Sequence, residues 1–125
     1  MLVIRNAQLQ AIRTERIERL EDRLVEHAQR HFPEVCSRMK RGLRGAVDHS
    51  VERARSYGFD REREICKYLN LQFRFGRDFD RDPRCAWAHP LLGSSLPGPP
   101  KMDRLYALGL VHEREARGYF AVSGE

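Results

Sequence analysis

Cysteine is scarce in this chain and poorly spaced for bonding: Cys36, Cys66 and Cys85 form an odd set with no CxxC pair. That argues against a disulfide framework and against a zinc knuckle, and three reduced, mostly buried thiols are expected. Long apolar runs are also missing. None approaches the ~20 residues that span a bilayer, so no membrane contact is expected. Met1-Leu2-Val3-Ile4 is too short for the apolar part of a signal peptide, which makes the cytoplasm the expected location. No strand-like alternation is found, so no glycine-rich phosphate loop can follow a strand. Lysine is rare, because arginine supplies 20 of the 23 basic residues.

What is present suits a small soluble domain. The chain has 125 residues, 41% hydrophobic and 33% charged, enough to bury a core within one domain. Seven of its eleven aromatic residues fall between Tyr57 and Trp87. Ile65, Tyr68, Leu69 and Gln72 share one helical face there, and Cys66, Leu69 and Phe73 the next. So wide an apolar arc needs cover on more than one side. The spacing therefore predicts a central helix over residues 61–75, started by Asp60 as N-cap and ended by Gly76.

The same periodicity places the other elements. A long amphipathic helix is predicted from an Asn6 N-cap to about His31, with Leu9, Ile12, Ile17, Leu20, Leu24 and Ala28 on one stripe and Pro33 as its stop. A short helix comes next, over residues 33–39. A further helix over residues 43–57 turns Leu43, Val47, Ala54 and Tyr57 inward. Gly58 suits the left-handed position beyond its end, with Phe59 folding back onto Ala54. Asp82-Pro83 reads as a cap plus first-position proline, opening a short helix to about Ala88. Residues 93–100, rich in Gly, Ser and Pro, read as a loop. A last helix is predicted over residues 101–116, with Met102, Leu105, Tyr106, Gly109 and Leu110 on one side. The expected fold is all-α, a compact bundle of three or four main helices plus two short ones around the central helix. One domain (1–117) and a C-terminal tail (118–125) are expected. The expected core comprises Leu20, Leu24, Val47, Tyr57, Ile65, Leu69, Phe73, Trp87 and Leu105. The expected turn and cap residues are Gly58, Asp60, Gly76, Asp82 and Pro83.

Candidate chemistry is thin. Asp78-Phe79-Asp80-Arg81-Asp82 opens like a calcium loop, but Pro83 and His89 hold the places that need Gly and Glu. His27 and His31 have metal-gripping i, i+4 spacing, but Glu26 precedes the first histidine where the zinc-protease motif needs Glu after it. Ser94-Ser95 has no base assignable to it. No metal, cofactor or catalytic residue is expected, and we read the chain as a non-enzyme. Arg38, Lys40, Arg41 and Arg44 form a basic cluster around Gly42, the material for an alternative reading as a nucleic-acid binder. Residues 33–58 carry six basic against three acidic residues. Against that reading, the aromatics sit at core spacings rather than as a stacking platform.

ERARSYGFDREREICKYLNLQFRFGRDFDRDPRCAWA (52–88), with PPKMDRLYALGL (99–110) after it, resembles a group of small helical bacterial proteins. Members of that group are encoded among effector and spike genes of type VI secretion clusters. Cys85, Pro90 and the segment after Ala116 depart from the group's pattern. The resemblance implies a protein-protein interaction module. An adaptor or chaperone that holds a secreted effector or spike component in the cytoplasm is expected first, and an immunity-type toxin binder second. It carries over no catalytic residue.

Overall fold

The structure, a computed structural model, describes the backbone of residues 2–122 and the side chains of residues 8–114. Among the described residues every regular element is helical. They are α1 (Leu2–His31), α2 (Pro33–Met39), α3 (Leu43–Ser56), α4 (Glu62–Phe75), α5 (His89–Leu92) and α6 (Gly98–Val122), with 3-10 turns at Lys40–Gly42 and Pro83–Cys85. The chain is all-α. Its internal packing divides it into two units, Met1–Asp48 and His49–Glu125, the division falling inside α3.

In the first unit α2 packs on α1. Pro33 has no N–H to donate, so α1 ends there, and the proline opens α2 where that amide would have no partner anyway. Helix α1 already begins at Leu2, which places Asn6 within the helix rather than at its cap. Only part of its apolar stripe is covered: Leu24 and Ala28 are buried, Leu20 is half-buried, and Leu9 and Ile12 are exposed. Val47 of α3 is fully buried. Glu21 is buried too, and burial, then the neighbouring Asp48, pushes its carboxyl above the usual range.

Lys40 ends α2 with φ 51 and ψ −113, the one positive-φ residue besides glycine among those described. A Cβ is strained in that region, whereas glycine is not. Lys40→Gly is therefore expected to stabilise the protein by about 0.5–1 kcal/mol after the larger unfolded-state entropy of glycine is set against the relief. Thermal unfolding monitored by circular dichroism checks this. A lower melting temperature would mean that the strain is not there.

The second unit begins with the end of α3. The Phe59 amide donates to the Ala54 carbonyl at 3.0 Å and the Gly58 amide to the Arg55 carbonyl at 3.1 Å. That crossed pair is a Schellman ending, and Gly58 takes its left-handed residue at φ 90. The reversal drives Phe59 into the interior, fully buried. Helix α4 then starts with Arg61, not Asp60, as N-cap; Arg61 is extended and its side chain bonds no first-turn amide. Asp60 is exposed one residue too early to cap. Gly76, at φ 116, closes α4 by donating to the Gln72 carbonyl.

Helix α6 packs on α4 and α5. Lys67 lies 3.7 Å from Asp103, Asn70 donates to the Tyr106 hydroxyl at 3.3 Å, and Arg74 meets Glu113 at 2.9 Å. Partners rise together along both helices, so α4 and α6 run parallel. A parallel pair needs a long crossover, and residues 76–97 supply it. Leu71 is buried on the α6 side of α4; Ile65, Leu69, Met102 and Leu105 are buried as well, and Phe73 is half-buried. Gly109 is buried in the seam between α4 and α6, where a Cβ would stand 2.7 Å from Leu71 Cδ2. Glycine is what lets the helices approach so closely.

The crossover differs from the expected helix over residues 83–88. Asp82 does cap: its carboxylate accepts from the Arg84 amide at 2.9 Å, and hydrogen bonding to Arg84 holds its carboxyl below the usual range. Pro83 opens only a single 3-10 turn, and Pro90 enters the first turn of α5. Trp87 is half-buried, edge-on to Phe75 at 5.2 Å and stacked on His112 at 4.9 Å. Residues 93–97 form the only part of the expected loop that is not helical. Gly98-Pro99-Pro100 is the first turn of α6, because prolines there sacrifice only amides that lack helical partners. Helix α6 continues to Val122 through most of the expected tail, whose last residues, 123–125, lie outside the described residues.

Candidate functional site

The polar centre of the second unit lies where α3 meets the crossover. Asp80 Oδ2 accepts from Arg53 Nη1 and from the Tyr57 hydroxyl, each at 2.7 Å. The Asp80 side chain is fully buried and that of Arg53 is 20% exposed. His49 Nε2 lies 3.5 Å from Asp78, whose carboxylate is exposed. Behind this group Tyr68 is fully buried, with a hydroxyl that finds no partner among the described residues. Burial pushes both phenols up, followed by the hydrogen bond to Asp80 for Tyr57 and by the charge of Asp80 for Tyr68. Tyr57, Phe59 and Phe79 ring Tyr68 at 5.1–6.3 Å. The arrangement ties the crossover to the end of α3.

The calcium-like run is thereby dispersed: Asp78 faces outward, Asp80 is locked inside and Asp82 caps a turn. His27 and His31 lie against each other as a tilted pair, ring centroids 4.4 Å apart. Among the described residues no three metal-ligating side chains converge. The thiols of Cys36, Cys66 and Cys85 are free, and burial pushes each above its ordinary value. The basic cluster is only partly available. Arg44 is bound to Asp22 and Glu21 and reaches the Glu18 carbonyl at 3.3 Å, while Arg38, Lys40 and Arg41 are exposed.

The surface that stands out is the outward face of α6. Its inward face is used up by Lys101, Met102, Leu105 and Gly109, with His112 under Trp87. Turned away are Ala107, Leu108, Leu110 and Val111; the last three are 36%, 45% and 49% exposed. Leu110, expected among the inward residues, is in fact on this outer side. Arg104, Ala107, Leu108 and Val111 obey the i, i+3, i+4, i+7 rule of one helical stripe. Arg104 and Arg114 flank it, both exposed and without an ion pair among the described residues. Ten residues of helix set these two cations about 15 Å apart. The result is an apolar strip between two cations. Periodicity alone does not show it, because it places Leu110 on the inward side and gives Val111 no role. Compared with protein families, curated proteins and solved structures, the chain finds no match.

Proposed function

We propose that this chain is a non-enzymatic protein-protein interaction module that holds an amphipathic helix of its partner against the outer face of α6. The observation that carries this reading is the exposure of Leu108 and Val111 on one stripe with Ala107, and of Leu110 on the turn beside Ala107, on a helix whose other face is filled. Isolated exposed leucines are ordinary; several on adjoining turns, rimmed by cations, favour a binding surface. The partner helix would present two apolar residues and acidic flanks to Arg104 and Arg114. The resemblance of residues 52–88 and 99–110 favours a secreted effector or spike component of a type VI system as partner, met in the cytoplasm.

The test is co-purification with type VI effector and spike proteins of the native host, using wild-type protein and Leu108→Asp/Val111→Asp. Burying two carboxylates at the strip is expected to weaken capture about 30-fold or more, as for loss of an interface hot spot. Both side chains are exposed, so the fold is expected to survive, with an unchanged circular dichroism spectrum. Equal capture by both proteins would sink the reading. Charge reversal at Arg38, Lys40 and Arg41 separates the alternative: it leaves capture unchanged here, whereas a nucleic-acid binder would lose affinity and salt dependence.

A further inference from the structure

A second feature of the same unit carries a binding site of different character. A cavity of about 180 Å³ opens between the first turn of α4 and the start of α6. Taking roughly 30 Å³ for each water, that is room for about six waters or a molecule of similar bulk. Glu64 and Met102 line it and are almost wholly buried, and Pro99 completes an apolar wall. Glu64 is 5% exposed and its Oε1 has no hydrogen-bond partner among the described residues. Lys101, the buried ammonium nearby in sequence on α6, donates instead to the Tyr57 carbonyl at 2.8 Å. A carboxylate oxygen sealed from water and given no donor is costly and rare, and Glu64 Oε1 is open to a cation from outside. Its other oxygen packs closely on Gly98: a Cβ there would stand 2.8 Å from Glu64 Oε2 and 2.9 Å from the Gly58 carbonyl.

The mouth has the opposite sign. Arg61 and Arg63 line the cavity, are exposed, and form no ion pair among the described residues. They belong to the uncapped first turn of α4, whose free amides add partial positive charge. Lys67 and Asp103, also on the wall, pair with each other at 3.7 Å and largely cancel. The cavity is thus negative at its floor and positive at its rim.

We propose that this cavity binds a small zwitterion, its ammonium or guanidinium on Glu64 and its carboxylate on Arg61 and Arg63. The class is that of free α- or ω-amino acids. A simple amine would meet the repelling rim, and a simple carboxylate the repelling floor. The site is independent of the α6 outer face and does not rest on it.

Amide chemical shifts of the ¹⁵N-labelled full chain test the proposal, with 4-aminobutyrate and L-lysine as probes and butylamine and butyrate as single-ended controls. At about 10 mM, ten times a millimolar dissociation constant, the zwitterions are expected to shift residues 61–67 and 98–103. The controls should shift them far less. Glu64→Gln, nearly isosteric, is expected to weaken binding about tenfold or more, the usual worth of a charge-assisted hydrogen bond. Arg61→Ser/Arg63→Ser alters only exposed side chains and should weaken the zwitterions while bringing butylamine up to their level. No shift with any probe, butylamine matching the zwitterions on the wild-type protein, or undiminished binding by both variants would each overturn it.

Discussion

Arg53→Met is expected to destabilise the protein by about 3 kcal/mol, at the low end of what removing one partner from a buried ion pair costs. The reason is Asp80. Its side chain is completely buried, Oδ2 takes a hydrogen bond from Arg53 Nη1 at 2.7 Å, and Oδ1 has no partner among the described residues. Without the guanidinium the carboxylate keeps one neutral donor, the Tyr57 hydroxyl, also at 2.7 Å. The exposed Asp78, 3.8 Å from Arg53, loses little, because water screens it. Methionine fills much of the arginine stem's volume, so the loss measures charge rather than packing. The double variant Arg53→Met/Asp80→Leu is expected to recover more than half the loss, since it removes the stranded charge as well. Denaturant unfolding read by Trp87, the chain's one tryptophan, supplies both numbers. A single-variant loss below about 1 kcal/mol, the worth of an exposed pair, would show that Asp80 is solvated in the folded protein.

Phe59→Ala should cost about 3–5 kcal/mol, the range for emptying a fully buried phenylalanine site. Phe59 is completely buried, its ring centroid 6.3 Å from that of Tyr68 and 5.5 Å from the Lys101 ammonium. The Schellman bond from its amide to Ala54 is made by backbone and survives the substitution, so the loss belongs to the ring. Lys101 sharpens the expectation. Burial already pulls its ammonium below the ordinary lysine range, and the aromatic face is one of the few groups that favour its charge. Phe59→Leu keeps most of the volume but not the ring face, and is expected to fall well short of the alanine loss. Equal losses for leucine and alanine would mean that volume is irrelevant at this site, which contradicts a packed interior.

Most helix ends were legible in the sequence because their causes are local. Pro33 cannot donate, Gly58 and Gly76 accept positive φ, and Asp82 caps the amide two residues on. The end of α4 at Gly76 and the whole of α2 needed nothing beyond neighbouring residues. The misplaced starts have local causes of another kind. Asp60 is a better capping residue than Arg61, yet the Schellman turn consumes residues 57–59 and Asp60 is left one position short. Gly98-Pro99-Pro100 reads as a loop only if prolines are taken as breakers; in a first turn they cost no helical bond.

The site residues were much harder to find. Nothing in the spacing pairs Arg53 with Asp80, and Glu64 looks like any first-turn acid rather than a buried carboxylate. The outward face of α6 is the clearest case: Leu105, Leu110 and Val111 are chemically alike, yet only Leu105 is buried.

The chain's own residue order settled that it would be helical and where most of its turns fall, because caps, prolines and glycines act over one to four residues. It could not settle which apolar stripe is covered, which charge is stranded inside, or that α4 and α6 run side by side in the same direction. Those depend on partners roughly 25 to 40 positions away, and helical periodicity specifies that a face needs cover without specifying what covers it.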